Sequence, residues 1–330
     1  MRLRFSKFVV LGVLAAALLV TAASAATSVF ATGLSTPESI TPTASASGFF
    51  VTDADGPIWN ITAGGSTSKL ADATGSVTWR GGLILPSTFT GLGGKFLAVG
   101  ADVAVGGPAL AYTMDTTTGA LTPYHSSAQA GAWTEAVLAP SFGSLSGDVL
   151  VTNQGHPAPV PPDTTTPVPA SVDYFTPAGG VGRLATFSFS AFPSKVQAFG
   201  AALANGSFGE VGGPSLLVSD SRGNGIYTVD PAGNIKLFTT IPGTATLRQI
   251  AFAPKEWKKY GGDLFVSLSA GAIDVVNRDG VVVGKISGNF NARGLRFTTM
   301  SGQPTLLFSN IKDPGGHNIL QAGPGDVVPS

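Results

Sequence analysis

The chain has no cysteine, which removes several explanations for its stability and chemistry. Without cysteine there is neither a disulfide framework nor a thiolate metal site, so stability must come from packing. Charged residues are also scarce: they make up 12% of the chain, about half of the usual ~25%. The 19 basic and 19 acidic residues balance, so nothing in the charge predicts nucleic acid or an anionic membrane as a partner.

Long hydrophobic runs are almost absent as well. The one exception, residues 8–20, follows MRLRFSK and precedes Ala23, Ser24 and Ala25. A basic start, a short apolar segment and an Ala-x-Ala site predict a secretory signal peptide over residues 1–25. We therefore expect an exported protein, periplasmic or extracellular. No membrane insertion is expected after cleavage, because residues 8–20 are too few to span a bilayer.

Helical spacing of apolar residues is nearly missing, and a repeat of short strands stands in its place. The chain has 44 Gly and 23 Pro, and its apolar residues come in short runs separated by turns. The segment TEAVLAPSFGSLSGDVLVT at 134–152 returns as RQIAFAPKEWKKYGGDLFVS at 248–267. Further copies of the first strand begin near residues 35, 79, 198 and 292. Six units of about 50 residues predict an all-β, six-bladed β-propeller with four-stranded blades.

The two ends of the chain carry a further signal. The last unit, which ends the chain, has three strands, and TSVFATGLST at 27–36 resembles the fourth strand IKLFTTIPGT at 235–244. The N-terminal strand is therefore predicted to close the last blade, which leaves no open sheet edge. Residues 26–330 then form a single propeller domain, with a Pro- and Thr-rich loop inserted at about 154–171.

Polar residues at the start of the inner strands form the first candidate site, because loops at the mouth of a propeller channel bring polar groups together. The alignment makes six residues equivalent: Glu38, Gly81, Glu135, Gly200, Gln249 and Gly294. Arg80, Arg248 and Arg293 stand one position earlier. These arginines, with Gln249, could bind a carboxylate or phosphate through bidentate hydrogen bonds. Alternatively, the charges neutralise one another and hold the blades in register.

Polar residues at the end of the second strands form the second candidate set. Its members are Asp53, Asn153, Asp220 and Asn310. Oxygen ligands suit a divalent cation such as calcium, which gives Glu38, Glu135, Asn153 and Asp220 as a possible metal set. Alternatively, Asp and Asn side chains accept hydrogen bonds from turn amides. His156, at the start of the inserted loop, could reach the channel mouth as an acid or base.

Units such as GNGIYTVDPAGNIKLF at 223–238, together with the acidic residue in Pro37-Glu38-Ser39, carry a family resemblance. The mature chain resembles the six-bladed propellers of the NHL-repeat and gluconolactonase (senescence-marker-protein) group. That resemblance implies a calcium-type cation bound by Glu38 on the first inner strand, with a further ligand near Glu135. The stretch PKEWKKYGGDLFV at 254–266 is similar to the soluble quinoprotein sugar dehydrogenases.

Two functions follow as hypotheses, and the sequence leaves open whether the protein is an enzyme. In the first, the propeller binds a small polar molecule or a protein at its channel mouth without catalysis and needs no cofactor. In the second, a divalent cation polarises an ester or lactone carbonyl and the arginines stabilise the developing oxyanion.

Overall fold

The computed structural model describes residues 27–73, 75–103, 107–156, 166–192, 196–204, 206, 208, 213–243, 245–312 and 316–330. The predicted signal peptide, residues 1–25, lies outside the described residues, as does the middle of the inserted loop. Within the described part of the chain, no helix is long and apolar enough to cross a membrane.

The described chain is built from strands, numbered here in chain order. The first is β1 (Ser28–Ala31). Blade 1 contains β2 (Pro37–Pro42), β3 (Gly48–Asp53), β4 (Pro57–Thr62) and β5 (Thr67–Asp72). Blade 2 contains β6 (Val77–Ile84), β7 (Phe96–Asp102), β8 (Pro108–Met114) and β9 (Leu121–Ala130). Blade 3 contains β10 (Trp133–Leu138), β11 (Val149–Asn153), β12 (Ser171–Phe175) and β13 (Val181–Thr186).

The second half of the chain repeats this plan. Blade 4 contains β14 (Ala198–Ala204), β15 (Ser215–Asp220), β16 (Gly225–Val229) and β17 (Ile235–Thr240). Blade 5 contains β18 (Leu247–Phe252), β19 (Leu264–Leu268), β20 (Ala272–Val276) and β21 (Val282–Ser287). Blade 6 contains β22 (Ala292–Met300), β23 (Gln303–Lys312) and β24 (Gly316–Ala322). Short 3-10 turns lie at Gly143–Leu145, Lys255–Tyr260 and Pro324–Asp326, and β25 (Val328–Pro329) adds a fifth strand to blade 5.

The ring closes as the sequence predicts. In blade 6 the strand order is β1-β24-β23-β22, so the N-terminal strand supplies the fourth strand of the last blade. The pairing is antiparallel and joins Ser28 to Gln321 and Ala31 to Ile319. The backbone groups of β24 are thereby satisfied by a segment nearly 300 residues away, and the third strand of the last blade has no unpaired edge.

The core lies between the blades. Six separate apolar clusters fill the six interfaces between neighbouring blades. The second strand of a blade is covered on both faces, and strands such as β3, β15 and β19 are therefore buried along their whole length. This explains why the second strands read as unbroken runs such as LLVSD and LFVSL.

Each inner strand is irregular near its beginning. The register with the second strand shifts there in all six blades, which is the signature of a β-bulge that redirects side chains. The register also corrects the alignment derived from the sequence. Pro37, Trp79 and Leu247 pair with equivalent positions, so Glu38 is equivalent to Arg80 and Arg248. Placing Glu38 with Glu135 and Gln249 was wrong by one residue.

The alternation of glycine with larger residues has a steric cause. A Cβ on Gly294 would lie 2.6 Å from the Glu38 backbone oxygen and 2.8 Å from the Ser39 Cα. A Cβ on Gly200 would meet the Gln249 Cα at 2.7 Å. Every second inner strand thus approaches its neighbour so closely that only glycine fits.

Candidate functional site

The central channel holds the first candidate site at the face where the inner strands begin, here called the upper face. At the bulge, the first level of side chains consists of Glu38, Arg80, Thr134, Phe199, Arg248 and Arg293. These six residues come from the six blades, one from each. The bulges therefore bring three guanidiniums and one carboxylate into a single ring.

Glu38 is the centre of this ring. Its carboxyl group is 1% exposed, and Arg80 Nη1 donates to Oε1 at 2.6 Å. Arg293 Nη1 lies 3.2 Å from Oε1 and 3.4 Å from Oε2. Arg248 does not contact the carboxylate within salt-bridge distance; its guanidinium instead stacks on the Phe199 ring, 5.1 Å from the centroid. One negative charge therefore faces three positive charges.

Burial and the neighbouring charges shift the pKa values of two of these arginines. Burial and then the positive charge of Arg293 lower the pKa of Arg248 to about 10, although Glu38 opposes the shift. Burial also lowers the pKa of Arg293, and Glu38 partly offsets it. Both groups stay protonated at neutral pH. The Nε atoms of Arg80, Arg248 and Arg293 are buried and have no hydrogen-bond acceptor within the described structure.

A cavity of about 300 Å³ adjoins this ring at the upper face, between blades 2 and 3. Its polar lining consists of Thr78, Arg80, Asp102, Gln154 and His156. Of the two arginines that pair with Glu38, Arg80 is the more accessible: 25% of its side chain is exposed, against 15% for Arg293. Backbone hydrogen bonds between His156 and Val168, each 2.7 Å long, fasten the two ends of the inserted loop beside the cavity.

The second level of the channel lies one residue further along each inner strand and carries Glu135 and Gln249. Burial raises the pKa of Glu135 from 4.5 to about 8, opposed by Gln249, the Ala136 amide and the positive charge of Arg296. Glu135 meets the water inside the channel but lies far from the protein exterior, so the charged form is poorly solvated. Gln249 is near enough to stabilise the carboxylate, although its Nε2 makes no hydrogen bond of good geometry.

Arg296 is a channel residue that the sequence analysis missed. It lies on β22, in blade 6, across the ring from the Glu135 of blade 3. Burial lowers its pKa and Glu135 raises it, so the two groups act on each other across the channel.

The side-chain oxygens of two predicted metal residues, Asn153 and Asp220, accept hydrogen bonds from backbone amides. Asn153 Oδ1 accepts the Gly155 amide at 2.9 Å. Asp220 Oδ1 accepts the amides of Gln197 and Arg222, each at 2.9 Å. Asp53 and Asn310 likewise accept amides of the loop that leads into the inner strand. The second strands therefore end in turn-capping side chains.

A resident cation does not fit this arrangement. Glu38 forms ion pairs with two arginines, and a third arginine lies nearby. Their positive charge would repel a metal ion. Among the residues that the structure describes, no group of three or more His, Cys, Asp or Glu side chains could hold a metal. The four residues predicted as a metal set are thus a ring carboxylate, a second-level carboxyl and two turn caps.

The fold and its ringed channel define a six-bladed β-propeller. No family model matches the chain, and no curated protein matches it in sequence. Among solved structures, a gluconolactonase from Xanthomonas campestris is similar at 15% identity, with a TM-score of 0.61 over 92% of this chain and 89% of its own. A glucose dehydrogenase is similar at 13% identity, with a TM-score of 0.63 over 90% of this chain and 99% of its own.

A third similar structure is the soluble aldose sugar dehydrogenase from Escherichia coli in its apo form. It is 11% identical, with a TM-score of 0.60 over 92% of this chain and 99% of its own. The expected resemblance to gluconolactonase-like and sugar dehydrogenase propellers is therefore confirmed. At these identities the similarity shows the fold alone.

Proposed function

We propose that this protein is an exported propeller that binds a small anionic ligand at the upper mouth of its channel. The observation that carries the proposal is the ring of three arginines around the single carboxylate of Glu38. Export rests on the signal-like residues 1–25 of the sequence.

The ring has the chemistry of an anion receptor. Its excess of two positive charges is confined to one level of the channel, where the solvent screens charges less than at the surface. An unmade hydrogen bond at a buried donor costs about 1–3 kcal/mol, and three Nε donors lack an acceptor among the described residues. A carboxylate or phosphate supplies both the charge and the acceptors, in a geometry that matches a guanidinium.

The adjoining cavity limits what the ligand can be. At about 300 Å³ it is at the small end of ligand pockets. The hydroxyl of Thr78 and the amide of Gln154 in its lining suit a ligand that carries hydroxyl groups. A protein partner is less favoured than a small molecule because little of each guanidinium reaches the surface. The names of the similar propellers point to sugars, so a sugar acid is the first candidate.

Metal-dependent hydrolysis of an ester or lactone is the second candidate. Similarity of fold to a gluconolactonase is the observation in its favour, and Glu38 or Glu135 would have to hold the cation. The ion pairs of Glu38 speak against that role. Treating the purified protein with a chelator separates the two candidates. A metal-dependent hydrolase loses its activity when the metal is removed, whereas anion binding by the arginines does not change.

Isothermal titration calorimetry tests the proposal with gluconate and inorganic phosphate, and with glucose as the uncharged comparison. We expect Arg80→Gln and Arg248→Gln each to weaken anion binding about tenfold or more, as expected for loss of a charge-assisted hydrogen bond. Arg278→Gln is the matched control because Arg278 is 76% exposed at the surface. Equal binding of anions by all four proteins, or tighter binding of glucose than of gluconate, would contradict the proposal.

A further inference from the structure

The channel contains a second space that the ring function does not use. A chamber of about 860 Å³ begins at the level of Glu135 and Gln249 and continues to the lower face, where the inner strands end. Its rim includes Pro254, Glu256 and Pro304. None of the four ionic residues of the ring belongs to its described lining. The chamber has the size of a pocket for a drug-sized molecule.

The walls of the chamber combine polar and apolar surface, and the apolar part comes from side chains of the inner strands. Half-buried apolar side chains line it in five blades: Leu83, Val137, Leu203, Phe252 and Phe297. Each of them is only partly buried and leaves some apolar surface facing the chamber. Covering this surface releases about 25 cal/mol per Å², so an apolar molecule gains free energy by lying along the wall.

The closed end of the chamber is polar and rich in donors. Arg296 reaches the water of the chamber from β22. Gln249 is 4% exposed, and its Nε2 lies near the Glu135 carboxyl group without a hydrogen bond of good geometry. The acidic neighbour of Arg296 is Glu135, and burial raises the pKa of Glu135 to about 8. At neutral pH the guanidinium therefore keeps most of its charge available for another anion.

We propose that this chamber is a second binding site, distinct from the arginine ring, for an amphiphilic monocarboxylate. The carboxylate lies at the closed end, where Arg296 and Gln249 donate to it, and the apolar body lies along the wall towards the lower face. Arg296 is the one fixed positive charge in the wall formed by the inner strands.

Calorimetry with octanoate tests this proposal, with 1-octanol as a probe of similar apolar length and no charge. The mature wild-type protein is expected to bind octanoate about tenfold or more tightly than octanol, because a charge-assisted hydrogen bond is lost with the alcohol. Arg296→Gln should weaken octanoate binding to the level of octanol, and Arg296→Lys should retain most of it. Arg278→Gln, far from the channel, is the control.

A second variant keeps the proposal open to refutation if Arg296→Gln does not fold. Val137→Asp places a carboxylate on blade 3, across the ring from Arg296, and should abolish octanoate binding while the circular dichroism spectrum stays native. Saturating phosphate should not displace octanoate, which separates this site from the ring. Octanoate binding that survives both Arg296→Gln and Val137→Asp, that phosphate displaces, or that is absent from folded wild-type protein overturns the proposal.

Discussion

Replacing Glu38 by Gln should expose the charge imbalance of the ring. The substitution keeps the size of the side chain and one acceptor, but it removes the counter-charge of Arg80 at 2.6 Å and of Arg293 at 3.2 Å. Breaking a buried ion pair destabilises a protein by about 3–5 kcal/mol. Arg80 is 25% exposed, so water screens part of this effect and we take the lower end, about 3 kcal/mol.

The assay is thermal unfolding at low ionic strength, with and without inorganic phosphate. For a chain of this length, about 3 kcal/mol corresponds to a fall in Tm of roughly 5 °C. Phosphate should raise the Tm of Glu38→Gln more than that of the wild-type protein, because three guanidiniums without a counter-ion bind an anion more tightly. Asp72→Asn is the matched control, since its ion pair with Lys69 is about half exposed and contributes less than about 1 kcal/mol.

Two outcomes would refute the reasoning. If Glu38→Gln unfolds at the wild-type temperature, the carboxylate does not balance the arginines. If phosphate stabilises the variant and the wild-type protein equally, the guanidiniums are not available to a bound anion. A fall in Tm that phosphate reverses would support both the ion pairs and the anion receptor.

Three further predictions concern the channel and the ring closure. The pKa of Glu135 is raised to about 8 in the folded protein. The protonated side chain therefore favours folding at low pH, and this contribution to stability is lost as the pH rises from about 4.5 to about 8. In urea unfolding measured across this range, Glu135→Gln should flatten the dependence of stability on pH. Gly294→Ala should lower the free energy of unfolding by about 1–3 kcal/mol, because the new Cβ meets backbone atoms of the next blade. Gly323→Ala, whose Cβ would have no atom within 4 Å, should lower it less in the same urea titration. Equal losses for the two variants would contradict the steric argument. Deletion of Ser28–Ala31 should lower the Tm and increase light scattering on heating, because it uncovers an edge of β24; a monomeric deletion variant with unchanged Tm would show that closure by β1 is dispensable.

The architecture could be predicted from the sequence because its causes are local and repeated. Every blade presents the same buried second strand and the same turn signals, and each copy supports the others. Ring closure was predictable as well, since the fourth strand of blade 4 resembles residues 27–36. β1 then takes the corresponding place in blade 6.

The candidate site was predictable in its residues but not in its levels. The sequence indicates that Arg80, Arg248 and Arg293 share a position, but a bulge inserts a residue into each inner strand and leaves no mark in the pattern. Glu38 was assigned to the wrong level because the sequence does not show that Pro37, rather than Ser35 or Thr36, pairs with Asp53. Its role as the partner of Arg80 and Arg293 depends on distances across blades, which sequence spacing does not encode.

The sequence also could not show whether the Asn and Asp side chains at the ends of the second strands bind a metal or cap a turn. The sequence is compatible with Asn153 and Asp220 as ligands or as turn caps, and the choice depends on which backbone amides come within reach. In the folded chain these amides are 2.9 Å away. Arg296 was missed for a related reason: its importance comes from facing Glu135 across the ring, which only the closed propeller reveals.

The most direct measurement is an anomalous difference map from crystals of the mature protein soaked in selenate, an anion that resembles phosphate and sulfate. The account predicts a selenium peak within hydrogen-bond distance of Arg80, Arg248 or Arg293, and its loss in Arg248→Gln crystals. A map with no peak at the ring, or with peaks only beside surface lysines, would contradict the claim that this level of the channel is an anion receptor.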